Sequence, residues 1–412
     1  MSKVIGLKCR ECGTEYPAGI QNTCFECFGP LEVHYDWDKI QDTASKEKIA
    51  SGPSSIWRYA DLLPLDGTNY VDLGAGYNRL HHAKNLGKEL GLKELYILDD
   101  SVNPTNSFKD RVTSVAVSKA LELGATAVGC ASTGNLASAV GAHAAKAGLP
   151  AYIFIPSSIE AGKITQMLAY DPNIISVDGT YDDANRLASE VADQKENWAF
   201  VNINIRPYYT EGSRTLAFET AEQLGWNTPD HIVAPLGSGA LLCALTRGYR
   251  ELEKIGFVDS GSDISISGSQ PAGCSPISTA VRNDTDVIPI RKIDTIAHSL
   301  AIGNPADGYY AKEIIQSSGG HAAAVTDKEI LEAILLLART EGIFTEPAGG
   351  TTIAGLKSLV ESGHIDPDER TVVYVTGNGL KTQDTIAKVT GIPEPIKPVY
   401  SEFTKRFNNI AN

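Results

Sequence analysis

The chain is 412 residues long, 42% of them apolar and 21% charged, with a formal net charge of −14. That length fits two ordinary domains and a small appendage, and the acidic excess argues against a nucleic-acid or anionic-membrane partner. No 18-residue apolar run occurs and Met1-Ser2-Lys3 leads into no signal-peptide core, so a cytoplasmic location is expected.

Residues 1–36 carry Cys9-x-x-Cys12 and Cys24-x-x-Cys27, with eleven residues between the pairs. Two such knuckles converging make a tetrahedral four-thiolate site that suits zinc. Four thiolates leave no open position, so the metal would be structural; a metal-free relic knuckle or a disulfide pair is the competing view. Cys130, Cys243 and Cys274 lie scattered in apolar or loop contexts and read as reduced and structural. Residues 36–67 form a connector with turn signals at Gly52-Pro53 and Pro64.

Strand and helix patterns then alternate. β-rich apolar runs fall at 95–98, 151–155, 174–177 and 198–203, with helical runs at 80–90, ended by Gly91, and at 181–194. A second series runs from 231 to 377, with a strand at 263–268 and a helix at 326–340. That helix opens on the capping box Thr326-x-x-Glu329 and lines up Ile330, Ile334 and Leu337 on one face. The pattern predicts an α/β protein: two doubly wound parallel-sheet domains, 37–215 and 216–400, with a ligand in the cleft between them. The zinc-ribbon-like segment precedes them. A tail at 401–412 follows a proline-rich stretch and can wrap a neighbour.

The chemistry concentrates in four loops. In Asn103-Pro104-Thr105-Asn106-Ser107-Phe108-Lys109-Asp110-Arg111, a Pro/Asn turn delivers Lys109 to the start of a helical run (112–123) that Ser107 could cap. The positive end of a helix favours the neutral amine that Schiff-base chemistry with an aldehyde cofactor needs. The plain alternative is a surface lysine paired with Asp110 or Glu122. Ser132, Thr133 and Gly134 offer hydroxyls and amides at a helix N-terminus, a carboxylate-binding arrangement, and Asn135 can donate to a cofactor ring oxygen. Gly237-Ser238-Gly239-Ala240-Leu241 follows a strand and opens a helix, which suits a cofactor phosphate. In Thr376-Gly377-Asn378-Gly379 a hydroxyl can face a pyridine nitrogen. A dinucleotide site is excluded by spacing: the third glycine of G-x-G-x-x-G falls on Leu242, and in Gly74-Ala75-Gly76 it falls on Arg79. Together the four loops describe a pyridoxal 5'-phosphate site.

The segments Pro-Thr-x-Ser-Phe-Lys-Asp-Arg, Ser-Thr-Gly-Asn, Gly-Ser-Gly and Thr-Gly-Asn-Gly-Leu-Lys resemble those of the threonine synthases, fold-type II pyridoxal phosphate enzymes. The resemblance runs from about Leu7 to Ile392 and includes Val201-Asn202-Ile203-Asn204-Ile205-Arg206-Pro207-Tyr208-Tyr209 and the run Ser299 to Gly308. It departs at Gly74-Ala75-Gly76-Tyr77-Asn78-Arg79-Leu80, where Asn78-Arg79 replaces the family's Thr-Pro and leaves that loop's role open. The resemblance implies conversion of O-phosphohomoserine and water to threonine and phosphate, with Lys109 on the cofactor, in a homodimer. Asn204 and Arg206 are the candidates for the substrate's phosphate; Arg206 could instead pair with Asp182, Asp183 or Glu211. His81 and His82, at the start of a helical run, read as solvated or capping. Glu346 either sits near the pyridine face or is a helix N-terminal carboxylate beside Pro at N1. The same loops would serve an enzyme making cysteate from O-phosphoserine and sulfite, or a serine/threonine dehydratase. A different class, a zinc-ribbon binding module, is opposed by the acidic balance and the lack of interleaved basic and aromatic residues.

Overall fold

The computed structural model describes residues 2–132, 134–157, 161–259, 263–391 and 393–407. The N-terminal segment folds as a small antiparallel sheet of β1 (Val4–Cys9), β2 (Glu15–Tyr16) and β3 (Leu31–Tyr35), in the order β2-β1-β3. Val4, Leu7, Cys9, Leu31, Val33 and Tyr35 face inward and join the largest core cluster, which also contains Tyr208 and Tyr209. The ribbon is therefore packed on the body of the protein. The connector carries structure of its own: helices Trp37–Thr43 and Lys46–Ala50, capped by Asp36 and Ser45, and a 3-10 turn at Ile56–Leu62.

Two larger sheets follow. The edge strand β4 (Leu80–His82) and β5 (Glu94–Asp99) come first in the chain. Then β6 (Ala127–Ala131), β7 (Ala151–Pro156), β8 (Asn173–Val177) and β9 (Trp198–Phe200) form an all-parallel sheet, β8-β7-β6-β9. Finally β10 (His231–Pro235), β11 (Ser265–Pro271), β12 (Ala322–Val325) and β13 (Arg370–Val375) join the first two in the order β12-β11-β10-β13-β5-β4. Only β4 runs antiparallel there. The central strands β10 and β13 are apolar and buried on both faces, as parallel sheets wrapped by helices require.

The α/β class holds, with three corrections. The division at 215/216 does not match the sheets, because β5 pairs with β13 and carries residues 80–99 into the larger sheet. The run 80–90 is split: Leu80, His81 and His82 pair with Leu98, Ile97 and Tyr96, and the helix is only Lys84–Leu90, ended by Gly91. Strand pairing here overrides the local helical pattern. His82 stacks on Tyr96 with ring centroids 4.8 Å apart, a sheet-edge role. The run 198–203 stops at Phe200 for a reason given below. By contrast, Tyr181–Gln194 and the capping box of Thr326 and Glu329 form as the pattern predicts. Among the described residues no helix is long and apolar enough to cross a membrane.

Two helices, Lys109–Glu122 and Arg206–Gln223, are buried on nearly all sides and pack on each other. Loops leaving the carboxyl ends of β5, β6, β10 and β13 converge beside them.

Candidate active site

The lysine loop and the Thr376 loop are held together by backbone pairing. Phe108 N donates to Thr376 O (3.0 Å), Asn378 N to Asn106 O (3.1 Å), and Glu346 N to Gly377 O (3.0 Å). Ser107 thus lies in a bridge with Gly377, and the helix begins at Lys109 with Phe108 as its uncapped N-cap. The expected Ser107 cap does not form; its hydroxyl is buried without a partner among the described residues. The turn is tied instead by Asp110, which accepts from Thr105 N (2.8 Å) and Thr105 Oγ1 (2.9 Å). Burial pushes the Asp110 carboxyl up to about 6, against those hydrogen bonds. Lys381 donates to Thr105 O (2.7 Å), and its burial lowers the ammonium's titration point.

Lys109 Nζ lies 4.0 Å from the Phe108 ring centroid and 5.7 Å from that of Tyr209. It has no hydrogen bond or ion pair among the described residues. Asp110 faces Thr105, and Glu122 takes Lys119 (2.5 Å), so neither expected carboxylate partner holds it.

In the second loop, Ser132 Oγ accepts from Gly134 N and Ala137 N, both at 3.2 Å, and so ties the turn that opens the helix Asn135–Ala147, whose N-cap is Gly134. Thr133 lies outside the described residues. Asn135 Nδ2 donates to Glu346 at 2.9 and 3.1 Å, and Ser299 Oγ reaches the same carboxylate at 3.4 Å. Glu346 precedes Pro347 as the N-cap of helix Pro347–Glu361 and packs against Gly377. One buried carboxylate therefore joins three loops, and Ser299, given no role by the sequence, lies at that junction.

The phosphate-type loop leaves β10 and enters helix Ala240–Lys254 through Gly239, whose φ is +91°. The backbone N–H groups of Gly237, Ser238, Gly239 and Leu241 have no acceptor among the described residues, and Ala240 N reaches only Ser238 Oγ, at 3.4 Å. A run of open donors at a helix N-terminus fits a phosphate. Glycine is required at 239 for a second reason: a Cβ there would stand 2.7 Å from Asp307 O. A valine at 239 would thus disturb packing as well as any anion.

Asn204 is placed differently from the expectation. Its Oδ1 accepts from Phe200 N (2.7 Å) and its Nδ2 donates to Trp198 O (3.0 Å), which ends β9 and ties the turn. Arg206, the first residue of its helix, pairs through Nη2 with Asp307 and not with Asp182, Asp183 or Glu211. Its Nε and Nη1 carry no hydrogen bond among the described residues, so a donor remains on each side of the guanidinium.

The four cysteine sulfurs converge, all within 4.8 Å of one another. Adjacent pairs stand 3.3 to 3.5 Å apart. Zinc–sulfur bonds of about 2.3 Å in a tetrahedron place sulfurs about 3.8 Å apart, so the donor set fits zinc. Each knuckle closes alike: Gly13 N donates to Cys9 O (3.1 Å) and Phe28 N to Cys24 O (3.0 Å).

A lysine without hydrogen bond or ion pair among the described residues, open backbone donors and buried Thr376 lie on loops at the strand ends, which fits an aldehyde cofactor bearing a phosphate. Residues 71–377 match the family described as pyridoxal-phosphate dependent enzyme. The chain is 42% identical over 394 residues to the threonine synthase of Methanocaldococcus jannaschii, covering 95% of this chain and 96% of that one. It is 39% identical over 390 residues to that of Methanosarcina acetivorans, covering 94% and 95%. The fold is similar to that of an L-serine ammonia-lyase from Rhizomucor miehei, with a TM-score of 0.64 and 22% identity over 76% of this chain and 98% of that chain. The sequence, the converging loops and these relatives agree: the chain belongs to the threonine synthase family of pyridoxal phosphate-dependent enzymes.

Proposed function

We propose that this enzyme converts O-phospho-L-homoserine and water into L-threonine and phosphate. The observation that carries the proposal is the Lys109 amine, which has no hydrogen bond or ion pair among the described residues and stands on a loop paired by its backbone to the Thr376 loop, in a chain of this family. Lys109 would hold the cofactor, Asn135 its ring oxygen, the amides of Gly237 to Leu241 its phosphate, and Thr376 its pyridine nitrogen. Bound, pyridoxal phosphate supplies an electron sink for negative charge developing on the substrate. Lys109 would move the substrate's α-proton and then a β-proton, and return a proton to the γ-carbon once phosphate has left. Ser132, Thr133 and Gly134 hold the carboxylate, and Arg206 takes the phosphate that leaves before water adds at the β-carbon. Asn204 drops out of the ligand set because its amide is engaged by β9.

Supplied with O-phosphohomoserine, the purified enzyme should release phosphate and threonine in equal amounts. Cysteate from O-phosphoserine and sulfite, without threonine formation, would move the enzyme to the rival chemistry. A charge-assisted hydrogen bond from Arg206 to the phosphate is worth about 2–3 kcal/mol. Arg206→Ala should therefore raise KM for O-phosphohomoserine roughly 30- to 150-fold, while threonine, which lacks the phosphate, binds nearly unchanged. Equal losses for both ligands would make Arg206 structural.

The sulfur geometry supports structural zinc on Cys9, Cys12, Cys24 and Cys27. Metal analysis of protein prepared without chelators should find about one zinc per chain; free thiols and no metal would leave a relic knuckle. The cytoplasm and a homodimer complete the proposal. Supporting the latter, helix Tyr400–Phe407 buries none of its residues and exposes Tyr400 and Phe403. Sedimentation equilibrium should give twice the chain mass, and a monomer would refute the dimer.

A further inference from the structure

Between the first two knuckle cysteines stands Arg10, whose side chain leaves the ribbon and reaches the site. Its guanidinium is fixed from two sides: Nε donates to Glu32 (2.9 Å), and the group lies 4.2 Å from the ring centroid of Tyr310. Tyr310 in turn bonds Glu11, also within the knuckle. From that fixed position Nη1 stands 3.6 Å from Asp307 Oδ1. The other oxygen of the same carboxylate, Oδ2, takes Arg206 Nη2. Asp307 is also bound to the phosphate-type loop, since its N–H donates to Ser238 O (2.9 Å).

The division of that carboxylate has a consequence for Arg206. A carboxylate with both oxygens open takes an arginine bidentately, fork to fork. Arg10 occupies the Oδ1 side and limits Arg206 to a single-point contact on Oδ2. Arg206 keeps an orientation, and its Nε and Nη1 stay available. We propose that Arg10 is a positioning residue: by sharing Asp307 it keeps Nε and Nη1 of Arg206 from being drawn onto that carboxylate, so that either can meet the substrate's phosphate. The proposal rests on the assignment of Arg206 as phosphate ligand. The knuckle then has a role in the reaction as well as in the fold, because the segment it orders delivers Arg10.

The test uses the holoenzyme, with O-phosphohomoserine as substrate and inorganic phosphate as a non-reacting probe. Arg10→Ala should raise KM and the Kd of inorganic phosphate together, roughly 5- to 20-fold, the coupling of one close charge pair. kcat should change less than about twofold, while zinc content and cofactor absorbance stay as in the parent. Arg10→Lys, which restores a charge on Oδ1, should recover part of the loss. Asp307→Asn in the Arg10→Ala background should bring KM back towards the parent, because an amide offers one accepting oxygen and cannot grip a guanidinium bidentately. An Arg10→Ala enzyme with unchanged KM and phosphate affinity overturns the proposal. So does a double variant worse than Arg10→Ala alone, which would make Arg10 a mere tether. If Arg10→Ala loses zinc or cofactor, Arg10→Gln, which keeps the stem over Tyr310, carries the same comparison. An unchanged KM in Arg206→Ala alone would instead remove the Arg206 assignment, a distinct result.

Discussion

Lys109→Ala should abolish the covalent link to the cofactor and lower kcat by about two to four orders of magnitude, the usual worth of a positioned acid–base group. Borohydride reduction of the parent followed by peptide mapping should place the modified lysine at 109. The fold should barely change, since among the described residues Lys109 makes ring contacts, 4.0 Å to Phe108 and 5.7 Å to Tyr209, and no hydrogen bond or ion pair. An unaltered thermal midpoint with lost turnover would therefore separate chemistry from folding. Lys381 is the nearest competitor for the role, but its Nζ is engaged at 2.7 Å by Thr105 O. Modification mapped to Lys381, or substantial turnover in Lys109→Ala, would sink the assignment.

The parts of this architecture that sequence reveals are those with local causes. Thr326 and Glu329 cap each other three residues apart, and Gly91 ends its helix in a left-handed conformation, so both boundaries are written in a few adjacent residues. The four loops are legible because each is a short motif between a strand and a helix. What escapes is pairing over distance. Nothing near β5 announces that its partner is β13, some 270 residues on in the chain, so the sheets do not follow a division at 215/216. Arg206 presents the same difficulty. Three nearby carboxylates were the natural partners, yet the ion pair is with Asp307, 101 positions away. Asn204 fails for a subtler reason: an amide that ends a strand and one that binds a ligand look alike in a sequence. Arg10 could have been noticed only by asking what a cation does inside a Cys-x-x-Cys pair.

Arg111 shows how a residue in a functional motif can serve the fold, and its removal should give the largest loss of stability. It follows Lys109 by two positions, but it is fully buried. All five of its N–H groups are engaged: Nε and Nη2 on Asp100 (both 2.7 Å), Nη1 and Nη2 on Glu219 (2.8 and 2.9 Å), and Nη1 on Thr215 (3.1 Å). The same carboxylates hold the unusual Tyr77-Asn78 stretch. Glu219 accepts from the Tyr77 and Asn78 N–H groups (2.5 and 2.7 Å), and Asp100 from Asn78 Nδ2 (2.7 Å). Asn78 is thus a structural tie, which gives the departed turn its role. Arg111→Met would leave two buried carboxylates facing each other without a cation, at a cost of about 3–5 kcal/mol. The loss should appear as a lower urea midpoint, and Arg111→Lys should rescue little, because a point charge cannot reproduce the planar fork. The pH dependence fixes the sign. Burial already raises the titration point of Glu219, and Arg111 is the strongest influence holding it down. Without the arginine it rises further, so the folded chain takes up a proton before the unfolded chain does, and acid favours folding. The variant should therefore recover stability relative to the parent as the pH falls from 7 towards 5. A loss below about 1 kcal/mol, or a deficit that widens on acidification, would mean that Arg111 does not neutralise this cluster.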